Sequence, residues 1–455
     1  VRTHLVVLIL VTAVVGSISS RADALPAFAR RYGTSCQTCH VVYPKLTPFG
    51  EAFRRNGFKF PGIDQDFVKQ DQVLLGQDAY RQVFPNAVWP GQLAAAPALA
   101  AGFNGQAVIH PTKSSASAQA DNGAVFNLQN LAEEGHLWAG GAFSEHISFF
   151  GELTFGNDGS VDLEHAEVHF NDLGLSPHLL NLFVGRGVPN LTSFGPHSSY
   201  IADGLLSEIA VTALYGATTD SFSTTGQYNL FEVNGMSHGR FIYSLGVNSG
   251  SNLDTRTSQN GWAHVGFKAG GMRLDGEGDT TGNPQKPWAE TALTVDIFGY
   301  RSASHYTNGG LMMDLDDLTW VLGGNVRGTA GSFELDAGVF NEWHNHATET
   351  GVAVKALAQY DELSYIVYPW LVPALRLEYL RLAPDGGSNV SDLRLMFGAA
   401  FLIRPNLKTT LVALVEHADG APPGSWGPAG GFEAPAVGTT STSFEQINVG
   451  LAYAF

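Results

Sequence analysis

Residues 162–170, Asp-Leu-Glu-His-Ala-Glu-Val-His-Phe, put Ala166, Val168 and Phe170 on one side and His165, Glu167 and His169 on the other. The same period of two recurs downstream. Phe333, Leu335, Ala337 and Val339 oppose Glu334 and Asp336; Leu375, Leu377 and Tyr379 oppose Arg376 and Glu378; Leu393, Leu395, Phe397, Ala399 and Phe401 oppose Arg394 and Met396. Successive strand side chains point to opposite faces, so each stretch predicts a half-buried β-strand. Turns rich in Gly, Asn, Asp and Ser separate them, and no sustained helical period competes. Alternation alone suits a soluble sandwich as well as a barrel.

Two features favour the barrel. Ile447, Val449, Leu451, Tyr453 and Phe455 take every second position up to the last residue. A lipid-facing strand needs such an apolar band with aromatic ends, and the closing phenylalanine resembles the C-terminal signature of bacterial outer-membrane proteins. The second feature is loop parity. The chain after residue 96 holds about sixteen strand-like segments, and single-chain outer-membrane barrels have even strand numbers. With a periplasmic N-terminus, short turns are expected at 144–146, 234–239, 327–332, 368–373 and 404–408. Long extracellular loops are expected at 110–132, 188–222, 302–317 and 418–443. Only 270–287, long where a short turn is due, breaks the alternation. The expectation is an all-β, about 16-stranded transmembrane outer-membrane barrel over 97–455, in contact with outer-membrane lipid.

Residues 1–24 read as a secretory signal peptide: Arg2, an apolar run from Leu5 to Val15, and Ala22-Asp23-Ala24 before the cut. That run is too short to span a bilayer as a helix. The remaining 25–96 form a separate small domain of opposite charge. Leu25 to Arg81 carries eight basic and five acidic residues; from Gln82 onward fifteen basic face thirty-six acidic. Acidity of that order argues against nucleic acid as a partner.

The chain has two cysteines, Cys36 and Cys39, followed directly by His40. Export would favour a disulfide, but so short a loop adds little stability. A structural zinc site lacks its fourth ligand and its second cysteine pair. A thioredoxin-like redox pair lacks its βαβ surround. Cys36-Gln37-Thr38-Cys39-His40 is then C-x-x-C-H, the attachment motif for one covalent haem c, with His40 as an axial iron ligand. One helix is expected nearby: Thr47 as N-cap, Pro48 in the first turn, Gly57 past the end, and Leu46, Phe49 and Phe53 as its apolar stripe. The expected arrangement is an α-helical haem plug seated in the acidic lumen of the barrel.

Residues 28–58, Phe28-Ala29-Arg30, the C-x-x-C-H motif, Pro44-x-Leu46, Phe49-Gly50 and Phe53…Gly57-Phe58, resemble the N-terminal signature of the fused monohaem cytochrome–porins, best known as outer-membrane iron oxidases of Fe(II)-oxidising bacteria. The resemblance implies haem attachment through Cys36 and Cys39 with His40 on the iron. It also implies electron transfer across the outer membrane, between an extracellular redox-active substrate such as Fe(II) and a periplasmic c-type cytochrome or other redox carrier. A diffusion porin with a structural or sensory haem plug is the alternative. No Met or His lies between Val41 and Ile109, so a distal ligand must come from the barrel. His165 and His169 lead, with His136 and His264 behind them and Met396 as the rival. His344 and His346 beside Glu342, in an expected outer loop, could capture a cation, although loop histidines are common. Met312, Met313, Asp314, Asp316 and Asp317 suggest no specific site.

Overall fold

A computed structural model describes residues 27–32, 34, 36–42, 44–59, 98–110, 125–127, 133–174, 176–193, 224, 226–249, 260–276, 286, 288–308, 313–346, 352–404, 406–419 and 441–454. The expected signal peptide, the stretch 60–97 and Phe455 lie outside them.

The N-terminal unit is small. Helix α1 (Ala27–Tyr32) precedes the single turn α2 (Cys36–Cys39), the strands β1 (His40–Val42) and β2 (Lys45–Leu46), and helix α3 (Pro48–Arg55). Helix α3 starts and stops as the residues dictate. Thr47 Oγ1 accepts the Gly50 N–H at 3.1 Å, and Pro48 holds a position whose N–H would have no helical partner. At the other end Gly57, at φ +67°, donates to Arg54 O at 3.1 Å, and Phe58 donates to Phe53 O at 3.0 Å. Those paired bonds form a Schellman cap, with the Phe53–Phe58 ring contact as its apolar clasp.

The remaining strands are β3 (Ala98–His110), β4 (Val125–Asn127), β5 (Glu134–Ala142), β6 (Ile147–Gly156), β7 (Val161–Phe170), β8 (Asn181–Gly187), β9 (Tyr228–Ser237), β10 (Phe241–Ser249) and β11 (Asn260–Gly270). They continue with β12 (Glu290–Asn308), β13 (Met313–Gly331), β14 (Phe333–His344), β15 (Val354–Tyr365), β16 (Leu371–Pro384), β17 (Val390–Arg404), β18 (Leu407–Asp419) and β19 (Ser441–Ala454). Each pairs antiparallel with its neighbours, and β19 closes the ring on β3 through pairs such as Tyr453↔Phe103. Because β4 and β5 lie end to end along β3, the described strands occupy sixteen positions around the barrel. Closure leaves no sheet edge unpaired, which is what lets strands cross a bilayer.

The alternation falls as expected. Leu393, Leu395 and Phe397 are exposed on the outer face (Phe397 at 64 %), while Arg394 and Met396 are buried inside. Several buried lumenal charges are paired in a ladder: Arg376 bridges Glu362 (2.8 Å) and Glu378 (3.1 Å), and Arg394 holds Glu416 at 2.7 Å. The turns expected to be short lie together at one end, the opposite end also holding the brief connections 157–160 and 385–389. The expected long loop 302–317 is corrected: β12 and β13 pair out to Asn308↔Met313, leaving only 309–312 between them. The exception at 270–287 has a physical reason. Residues 271–276 turn inward, Asn56 of the N-terminal unit donates to Asp275 O at 3.4 Å, and Leu274 packs on Met236 and Ile242.

The N-terminal unit docks inside the short-turn end. Val41 and Val42 pack against Ile366, Val372, Ala374 and Met396. Lys45 pairs with Glu334, and Lys59 reaches Asp172 at 3.2 Å and the Glu145 carbonyl at 3.0 Å. A lumenal wall that would otherwise be polar is therefore apolar where the valines rest.

Candidate functional site

The turn α2 is held by the start of helix α3. Thr47 Oγ1 donates to Thr38 O at 2.7 Å, and the Thr47 N–H donates to Cys39 O at 2.9 Å. Gly50 lies so close to Cys39 that a Cβ there would strike the Cys39 carbonyl oxygen. Helix α3 thus rests directly on the C-x-x-C-H turn.

Cys36 and Cys39 are not joined to each other. Burial pushes the Cys39 thiol up to about 12, with Cys36 beside it adding to the rise. Burial likewise lowers His40 to about 4, against the opposing pull of its bonds to Pro44 and Lys45. The imidazole is neutral at physiological pH, and its Nδ1–H donates to Pro44 O at 3.2 Å. That bond selects the tautomer in which Nε2 carries the lone pair, the usual disposition of a metal-ligating histidine.

Cys36, Cys39 and His40 open onto one cavity of about 780 Å³ between plug and barrel wall. This falls within the roughly 300–1,000 Å³ of cofactor pockets. Phe28, Phe53, Phe58 and Leu46 form its apolar side. Phe58 stacks on Phe150 of the wall at 4.8 Å between centroids, so the rings tie plug to barrel. Phe49, expected in the same stripe, is not among the lining residues.

The opposite wall, from β5, β6 and β7, is polar. Glu167 accepts from His165 Nδ1 at 2.5 Å and from His169 Nε2 at 2.8 Å. Glu152 accepts from His136 Nδ1 at 3.0 Å. A β-bulge adds to this wall: Glu152 pairs with His165 but Leu153 pairs with Leu163, so Glu164 is the extra residue and also lines the cavity. Strict alternation would send it to lipid; the bulge re-aims it. Pattern reading missed Glu152 and Glu164, and no local signal marks the bulge.

The other candidates separate. His136, His165, His169 and His264 all line the cavity that His40 lines. Met396 does not; it lies under Val41 and Val42. His344 is corrected from a loop residue to a buried residue of β14, bonded to Asp317 at 2.7 Å and Glu342 at 3.4 Å. The strand extends farther than its polar residues suggested, because they face the lumen. No group of three or more His, Cys, Asp or Glu among the described residues is arranged to hold a bare metal ion. Met312 lies outside the described residues.

No family model matches the chain, and no curated protein matches it. Solved structures share its fold. The anion-selective porin from Comamonas acidovorans is 14 % identical with a TM-score of 0.55, covering 79 % of this chain and 99 % of that one. The trimer form of OmpT, an outer-membrane protein of Vibrio cholerae, is 12 % identical with a TM-score of 0.50, covering 79 % and 100 %. This is the barrel architecture of outer-membrane porins.

Proposed function

We propose that the chain is an outer-membrane electron carrier. Its cofactor is one covalent c-type haem, held through Cys36 and Cys39 with His40 as axial ligand. The observation that supports this most is that the C-x-x-C-H turn opens, with His40 set in a ligating tautomer, onto a cavity of cofactor size. Both thiols and the apolar ring wall fit a porphyrin. Arg54, Arg55, Arg327 and Lys408 line the same space and suit its propionates. The haem, when bound, supplies one-electron chemistry at its iron. The chain's residues attach it, exclude water and fix its place in the lumen. Short turns of such barrels face the periplasm, so the plug and N-terminus lie on that side, within reach of a periplasmic cytochrome or other carrier. The extracellular partner is a redox-active substrate such as Fe(II), in which case the chain acts as an iron:cytochrome c oxidoreductase.

The likeness to porins, taken alone, favours the second reading, a diffusion porin in which the haem plug is structural or sensory. Two measurements separate the readings. Haem staining of the denatured full-length chain, with a pyridine haemochrome spectrum, tests attachment. Reduction of vesicle-enclosed cytochrome c by external Fe(II) through the reconstituted protein tests transfer. Stain without transfer, together with solute flux, would leave the porin reading.

A further inference from the structure

Four lumenal histidines share the cavity with His40, but their ring nitrogens are committed differently. His136 has Nδ1 on Glu152 at 3.0 Å and on Thr154 Oγ1 at 3.2 Å; its Nε2, 3.6 Å from Glu134, is beyond hydrogen-bonding distance, but its ring lies flat against Trp138 at 5.2 Å between centroids. His264 spends Nε2 on Asp296 at 2.9 Å. His169 spends Nε2 on Glu167 at 2.8 Å, and its ring stacks on Phe183 at 4.7 Å. His165 differs. Its Nδ1 donates to Glu167 at 2.5 Å, and its Nε2 is 3.8 Å from Glu152, beyond hydrogen-bonding distance.

We propose that His165 Nε2 is the second axial ligand of the haem iron, and that Glu167 is its positioning residue. The proposal rests on the haem reading above. Metal-ligating histidines donate their other ring N–H to a carboxylate or carbonyl, which fixes the tautomer and ring orientation. His40 does this through Pro44 and His165 through Glu167. Glu167 is itself buried and braced by His169, so it has little freedom to turn away. Phe150 packs its ring against His165 at 5.4 Å and 65°, limiting the rotamer from the side. The alternation that sends Ala166 and Val168 outward sends His165 and Glu167 inward from one short run of β7. Methionine is the chemical rival. Met236 lines the cavity and packs on Ile242 and Leu274, whereas Met396 lies outside it.

The test is the ferric absorption, electron paramagnetic resonance and near-infrared magnetic circular dichroism of the full-length holoprotein. The wild type is expected to be low-spin with a bis-histidine near-infrared band. His165→Ala should become high-spin while haem stays attached, and added imidazole should restore the low-spin signal. His165→Met should instead develop a sulfur-to-iron charge-transfer band, a gain that a misfolded protein would not show. His169→Ala and His136→Ala should stay low-spin. Glu167→Gln should keep the haem but raise its midpoint potential, because a carboxylate partner makes the imidazole a stronger donor to ferric iron. An unchanged low-spin spectrum in His165→Ala would overturn the assignment, as would loss of a sulfur-to-iron band in Met236→Ala. Pyridine haemochrome assays keep the outcomes apart. A wild type without haem refutes the cofactor reading together with this one, while a stained wild type with an unaffected His165→Ala refutes only the ligand.

Discussion

Cys36, Cys39 and His40 stand on one turn and face one cavity, and each can be tested alone. Replacing either cysteine by alanine leaves at most one thioether, so haem stain on a denaturing gel should fall sharply in Cys36→Ala and Cys39→Ala and vanish in the double variant. Full staining of the double variant would refute covalent attachment. Glu51 gives a pH-dependent prediction. Burial alone would raise its pKa, but Arg54 and Arg55, at 3.0 and 2.6 Å, hold the carboxyl well below the usual carboxylate range. A lowered folded pKa means the unfolded chain binds the proton more readily. The stabilisation is therefore complete above the ordinary carboxylate pKa and disappears only as pH falls through the depressed folded value. Protease protection of the plug should persist as pH drops from about 7 to about 4.5, then fade in stronger acid. Glu51→Gln should lose protection throughout the neutral range. Identical profiles for the two proteins would show that Glu51 does not secure the plug.

Helix α3 is the element on which the motif turn depends. Its Gly50 has no room for a side chain against the Cys39 carbonyl, so Gly50→Ala must separate α3 from α2. Overpacking of this kind costs about 1–3 kcal/mol, and the yield of haem-loaded protein should fall while heat-modifiable migration of the barrel is unchanged. Thr47→Ala removes an N-cap and the bond to Thr38, at a cost of about 1 kcal/mol. Both ends of α3 were legible in the sequence because capping is local: Thr47, Pro48 and Gly57 each act within one turn. Strand faces were legible for the same reason, since period two assigns Arg376, Arg394 and Met396 inward without knowledge of the partner strands. The site was less legible. The C-x-x-C-H motif announces itself, but Glu164 enters the cavity through a bulge that depends on the register of β6. The lumenal patch under Val41 and Val42 exists because a distant segment docks there. His344 reads as a loop residue because polar residues on a long inward face look like a loop when the pairing is unseen.

At the scale of the whole molecule, the question is whether the plug closes the barrel. Sixteen strands ordinarily enclose an aqueous channel, and here α3, the valines and the inward-turned residues 271–276 occupy its short-turn end. Among the contacts that hold the plug to the wall are Phe58 on Phe150, Lys45 on Glu334, and Lys59 on Asp172, with Val41 and Val42 on the apolar patch. The Lys45–Glu334 pair is the sharpest to perturb. Lys45→Glu would bury a second carboxylate against Glu334 and near Asp336, with Arg327 on Glu334 offsetting only part of the repulsion, and an uncompensated buried charge costs several kcal/mol. The plug should then leave its seat while the barrel, whose strands pair with one another, stays folded. In a planar bilayer the wild type should conduct poorly. Lys45→Glu should show larger and noisier single-channel currents, with unchanged heat-modifiable migration. Pairing it with Glu334→Lys should restore only part of the closed state, since the exchanged charges again attract while the new lysine faces Arg327. If wild type and Lys45→Glu conducted equally, the seated plug would not be what closes the pore. The inward-folded residues 188–193, whose Leu191 is buried within the lumen, would then be the constriction to examine by deletion.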